Sequence, residues 1–70
     1  MNRIDFYRNK KRLTYSDISA QTGFSVAYIH MLAKGKRINP SLNTMQKIST
    51  ALGQKIEKVF LTNERGGESR

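Results

Sequence analysis

The chain has 70 residues, with thirteen Lys and Arg against five Asp and Glu, a formal net charge of +8, 37% apolar residues, no Cys and one His. That length holds a single domain. The lack of Cys excludes disulfides, thiolate metal sites and cysteine nucleophiles, His30 alone builds no multi-histidine centre, and no apolar run nears the roughly 20 residues of a bilayer span. The first residues have no apolar h-region, so a secretory signal is not expected and the reducing cytoplasm is. There, such a charge calls for a polyanion, either nucleic acid or an anionic membrane surface.

Residues 2–11 are predicted to form a first helix, with Ile4 and Tyr7 one turn apart ahead of a basic stretch. Thr14 and Asp17 have the spacing of a capping box, with Asp in place of the usual Glu. A second helix over 15–21 follows, with Ile18 inward, and Gly23 ends it by allowing a left-handed turn. Ser25 is a good N-cap for a third helix that stops before Gly35. Residues 35–40 are a loop, and Ser41 caps a fourth helix with an inward stripe of Leu42, Met45, Ile48 and Leu52. Gly53 ends that helix, and Ile56, Val59 and Phe60 mark a short fifth. The expected domain is residues 1–61; residues 62–70 have no apolar anchor and are predicted to be a disordered tail. The expectation is a compact all-α domain of five helices. Its predicted core is Ile4, Tyr7, Leu13, Ile18, Phe24, Ile29, Leu32, Leu42, Met45, Ile48, Leu52, Val59 and Phe60.

The charge is uneven. One cluster holds Arg3, Arg8, Lys10, Lys11 and Arg12 against Asp5 alone, and a second holds Lys34, Lys36 and Arg37. Between them, residues 14–33 carry only Asp17. Solvation of a small domain accounts for Lys47, Lys55 and Lys58 more readily than for the two clusters. On a helical wheel, Ile29 and Leu32 of the third helix fall on one side, and Ala27, His30, Met31 and Lys34 on the other, with Val26 at its edge. Small and apolar side chains suit close approach to base edges, where a thymine methyl is an apolar partner. The competing reading is that Met31 and Val26 pack on a neighbouring helix. His30 has no carboxylate near it in sequence to orient it as a catalyst.

Residues 13–60 resemble the helix-turn-helix domain of the Cro and lambda-repressor family, also called the Xre family. The matching residues are Leu13-Thr14, Ile18-Ser19, Gly23-Phe24-Ser25, Ile29, Leu32, Gly35-Lys36-Arg37, Asn39-Pro40-Ser41-Leu42, Ile48, Ala51-Leu52-Gly53 and Val59-Phe60. Ile4, Tyr7 and Arg8 continue the match through the first helix. The resemblance implies five helices, the third entering the DNA major groove and the second crossing the backbone above it. It implies base reading by Val26, Ala27 and Met31, with His30 close by. It implies backbone contacts from Thr14 and Tyr15 and from Lys34, Lys36 and Arg37. Lys10 and Lys11, with Ser25 and Tyr28, are expected to add further backbone contacts. Tyr15 stands where many relatives have Gln, and would reach a phosphate through its hydroxyl or lie over a sugar. The backbone N–H groups of Asn43 and Thr44 would meet a phosphate at the start of the fourth helix. Relatives often bind as two-fold dimers, so a homodimer is one expectation.

Three departures stand out. Many relatives pair an Arg, here Arg8, with a Glu at the position of Ala33; with that Glu absent, Arg8 is expected to be free for phosphate or solvent. The reading face lacks the Gln, Asn and Arg that bond bases in pairs, which shifts specificity toward thymine methyls, water or DNA shape. Ile38 looks like one added residue in the loop. The leading expectation is a sequence-specific double-stranded DNA-binding regulator, a bacterial or phage repressor, with no cofactor, metal, membrane or small-molecule partner. The alternative is an antitoxin-like or accessory interaction module that uses the same helical domain. An enzyme is not expected, because Asp5, Asp17, Glu57, Glu64 and Glu68 form no spaced acid–base pair and no Gly-rich phosphate loop occurs.

Overall fold

Short helices depend on side chains that supply the hydrogen bonds missing from their first turns. The computed structural model describes residues 2–37 and 39–60, and every helix but the last opens on such a contact. The Asn2 side-chain oxygen accepts from the Ile4 N–H at 3.1 Å, and α1 runs Ile4–Lys10. At α2 (Tyr15–Thr22) the capping box is complete. The Thr14 hydroxyl oxygen accepts from the Asp17 N–H at 3.0 Å, and the Asp17 carboxylate accepts from the Thr14 N–H at 2.8 Å. Ser25 caps α3 (Val26–Ala33) by accepting from the Tyr28 N–H, and Ser41 caps α4 (Leu42–Ala51) by accepting from the Thr44 N–H, each at 3.1 Å. Helix α5 (Ile56–Val59) has no side-chain cap. No strand occurs among the described residues.

The α2–α3 turn is held from within. Gly23 lies at φ +84° and donates its N–H to Ser19. The Ser19 hydroxyl donates to the Phe24 carbonyl at 2.6 Å, and the Thr22 hydroxyl donates back to Ile18 at 2.8 Å. The Gly23 bond to the Ser19 carbonyl carries α2 to Thr22, one residue past the predicted end. At the other extreme, α1 is shorter than predicted. Arg3 donates its N–H to Val59 at 2.7 Å, joining the chain start to α5, and Arg12 at φ +59° turns the backbone away after Lys10.

All five helices feed one core. Ile4, Ile18, Ile29, Leu32, Ile48, Leu52 and Val59 are buried with Ala51. Each large aliphatic is worth about 1.5–3 kcal/mol of transfer free energy, so seven of them dominate the stability of so small a chain. Helix α2 packs on both α3 and α4, α1 packs on α3, and α5 packs on α4. Tyr7, Leu13, Phe24 and Phe60 are half-buried and pack against the core, while Met45, also expected in the core, is only half-buried. Leu42 corrects the expected core: it is 68% exposed. The buried face of α4 runs through Thr44, Ile48, Ala51 and Leu52, and Leu42 stands roughly a third of a turn round the helix from Ile48 at 3.6 residues per turn. The tail predicted for residues 62–70, and Ile38, lie outside the described residues.

Two substitutions test this packing by thermal unfolding. A Cβ on Gly23 would meet nothing within 4 Å, so Gly23→Ala isolates the left-handed backbone cost. The expected loss is about 1 kcal/mol, a fall in Tm of about 4–8 °C for a chain of this size. The Ser49 hydroxyl is buried without a hydrogen-bond partner. Ser49→Ala should therefore hold or raise Tm, because it removes a buried polar group that gains nothing from burial. A lowered Tm would mean that the hydroxyl is satisfied after all.

Candidate nucleic-acid interface

Helix α3 turns Ile29 and Leu32 into the core and leaves Ala27 and His30 exposed, with Val26 at 42% exposure and Met31 half-buried. The four residues expected to read bases thus share the outer side of one helix, and none carries a carboxylate or a Lys or Arg cation. Val26 is not packed into the core.

Cations border this face at its C-terminal end. The loop after α3 folds back, with the N–H groups of Lys36 and Arg37 both donating to the Met31 carbonyl at 2.8 and 3.2 Å. That fold-back keeps two exposed cations within one turn of Met31. The Arg37 guanidinium lies 5.4 Å from the Tyr28 ring centre, within reach of a cation–π contact. Tyr28 meets Phe24 edge to face at 5.4 Å, and the Lys47 ammonium lies 5.8 Å from the Phe24 ring. Lys47 therefore belongs to this aromatic cluster, although its spacing in the sequence suggested only a solvating role. Ser25 stays exposed while its hydroxyl oxygen caps α3.

The first basic cluster disperses. Lys10 and Arg3 flank the exposed Phe6 ring at 5.6 and 4.2 Å, and the Lys11 ammonium lies beside Gly53 at the end of α4. Arg8 is not free, which corrects the expectation for it. Its Nε donates to the Asp5 carboxylate at 3.0 Å, its Nη1 donates to the Leu13 carbonyl at 2.9 Å, and its guanidinium covers the Tyr15 ring at 4.4 Å. Asp5 takes the part of the missing acidic partner from within α1, one turn before Arg8.

Asp5 also gathers two residues expected at phosphates. The Tyr15 hydroxyl donates to it at 2.7 Å, and the Lys34 ammonium donates at 2.9 Å from 29 residues away. Tyr15 in turn meets His30 edge to face at 5.4 Å. Burial pushes the Asp5 carboxyl up, but the hydrogen bonds from Tyr15, Lys34 and Arg8 outweigh it and bring the group from 3.8 down to about 2. Burial and the bond to Asp5 raise the Tyr15 hydroxyl, and the bond to Asp5 raises the Lys34 ammonium.

The two helix starts expected at phosphates are partly engaged within the fold. The Thr14 N–H is taken by Asp17, and Thr14 itself is exposed. The Thr44 N–H is taken by Ser41, and Thr44 is buried, which corrects its expected role as an open donor. Asn43 beside it is exposed. Among the described residues, no group of three or more His, Asp or Glu could hold a metal ion, and no helix is long and apolar enough to cross a membrane.

Two helices joined by a three-residue turn around a left-handed glycine, the second with its outer side open, define a helix-turn-helix protein. The family described as helix-turn-helix matches residues 4–59. The chain belongs to this family, in its Cro/C1-type branch. It is 38% identical over 58 residues to an uncharacterized HTH-type transcriptional regulator of Sinorhizobium fredii, covering 81% of this chain and 74% of the relative. It is 37% identical over 60 residues to one of Methanocaldococcus jannaschii, covering 86% and 89%. A third, from Archaeoglobus fulgidus, is 36% identical over 62 residues, covering 89% and 86%.

The low value of Asp5 makes a pH prediction. A carboxylate whose folded value lies below its unfolded value adds stability that is complete above the unfolded value, near 3.8, and is lost as pH falls through about 2. Unfolding followed from about pH 6 to about pH 2 should therefore fall less steeply in Asp5→Asn than in the natural sequence. Parallel curves would show that the carboxylate adds no net stability.

Proposed function

We propose that the chain is a sequence-specific double-stranded DNA-binding transcriptional regulator, a repressor of the bacterial or phage type that acts by occupying its operator. The observation that carries this reading is the outer side of α3, where Val26, Ala27 and His30 are exposed and Met31 is half-buried, none of them Lys, Arg, Asp or Glu, with Lys36 and Arg37 beyond its end. A polyanion is drawn to the border cations, and the residues between them remain available for base edges. In this reading α3 lies in the major groove, and Val26, Ala27, His30 and Met31 meet the bases. Lys36 and Arg37 hold phosphates beside it, with Lys10, Thr14, Ser25, Tyr28 and Asn43 as further backbone contacts. Two copies on an inverted repeat would double the site. The names of the relatives, HTH-type transcriptional regulators, support the same class.

Selection from a random duplex pool at near-physiological salt tests the proposal. An enriched inverted repeat is expected, and its half-site spacing gives the dimer geometry. A single half-site would mean a monomer, and no enrichment would overturn sequence-specific reading. On the selected duplex, log affinity should fall against log salt with a slope of about −5 if about six phosphates are neutralised. Lys36→Ala should weaken all duplexes alike and flatten that slope by about one. Met31→Ala should change the preference among sequences more than the overall affinity. A uniform loss would remove Met31 from the base readers.

A further inference from the structure

Both ion pairs among the described residues end on one carboxylate, Asp5. It receives Arg8 from its own helix, the Tyr15 hydroxyl from α2 and the Lys34 ammonium from the end of α3. Asp5 keeps 27% of its side chain exposed and Lys34 keeps 47%, so the pair sits at the edge of the reading face. A carboxylate at the rim of a surface that meets phosphates repels them, and an unpaired lysine there would bind any phosphate whatever the sequence. Asp5 answers both problems at once. It ties up the Lys34 charge, and it fixes the Tyr15 ring against which His30 lies at 5.4 Å.

We infer that Asp5 determines the specificity of the reading face without touching DNA: it holds Lys34 as a brace between α1 and α3 instead of a phosphate ligand, and through Tyr15 it positions His30. The inference rests on the DNA-reading function proposed above. Asp5 is a positioning residue here, and its effect is to suppress sequence-blind affinity. In Asp5→Asn the side chain keeps its size and an oxygen acceptor for Tyr15, but it loses the charge that retains Lys34. The released ammonium is then free to neutralise one more phosphate.

The test is a cycle of Asp5→Asn, Lys34→Ala and the double variant, each checked for folding by circular dichroism. Affinity is measured over a salt series on the selected duplex and on a scrambled one. Asp5→Asn should bind the scrambled duplex more tightly, by about threefold near 0.1 M salt, with a slope steeper by about one. The ratio of selected to scrambled affinity should fall. Adding Lys34→Ala to Asp5→Asn should abolish the extra slope, whereas Lys34→Ala in the natural sequence should not flatten it. If Lys34→Ala alone flattens the slope by about one, Lys34 leaves Asp5 for a phosphate and the inference is overturned. Without DNA, the Lys34 Cε resonance should titrate at lower pH in Asp5→Asn than in the natural sequence; an unchanged Lys34 titration also overturns it. Slopes that stay equal across all variants on a duplex the natural protein does bind would sink this inference alone. Failure of the natural protein to bind any duplex would sink the DNA-reading function, and this inference with it.

Discussion

The fold's polar architecture turns on the Asp5 carboxylate, which draws donors from three helices to one point. Its partners are Arg8, Tyr15 and Lys34, and none of the four side chains is fully buried. A core of seven aliphatics fills the inside but does not by itself set the rotation of α3 about its own axis, since hydrophobic burial is non-directional. The bond from Lys34 to Asp5 at the end of α3 is directional, and so is the Asn2 side-chain N–H bond to the Leu32 carbonyl at 2.7 Å. Together they tie the end of α3 to the first residues of the chain. The exposed face of α3 thus gets its orientation from contacts that lie outside it.

Helices of eight residues or so do not persist alone in water, because nucleation is unfavourable and the end groups go unsatisfied. Here the ends are almost fully occupied by local partners. Thr14, Ser25 and Ser41 cap three starts, while Gly23, Gly35 and Gly53 turn the chain in the left-handed region beyond three helices. The consequence for the site is a sharp α2–α3 turn that sets the two helices against each other without a long connection. The same caps also draw a limit. A donor already bonded to a cap, as at Thr44, is not available to an anion, so the useful donors at α4 are those of its first two residues.

Much of this was legible in the sequence because it is local. Capping residues and left-handed glycines act within four residues of themselves, and the inward pair Ile29 and Leu32 follows from helical spacing. Leu42 was misread because the stripe rule ignores which neighbours a helix meets. Its spacing to Met45 is right, but the buried side of α4 runs through Thr44, Ile48 and Ala51. Most of the Asp5 node was not legible. Arg8 lies three residues on in α1, but Tyr15 and Lys34 lie 10 and 29 residues away on other helices, and no periodic pattern links those two to Asp5. Lys34 read as one more cation in a basic loop, and Tyr15 as a substitute for a family glutamine, since each was judged by its own element. The one available hint was the missing acidic partner for Arg8, which left a positive charge near the core in need of an anion.

The division between Lys34 and its neighbours Lys36 and Arg37 then follows from electrostatics. A phosphate backbone attracts every exposed cation with little regard to sequence, so each additional unpaired Lys raises binding to all duplexes together. Base reading at an uncharged face adds free energy only at the matched sequence. The ratio between the two is set as much by the cations withheld as by the residues that read. Lys36 and Arg37 have no carboxylate within ion-pair distance among the described residues, while Lys34, the nearest of the three in sequence to His30 and Met31, pairs with Asp5. A net charge of +8 favours polyanions whatever their sequence. In the proposed reading, discrimination is the scarcer property, and a carboxylate paired with the lysine nearest in sequence to His30 and Met31 would supply it where it counts most.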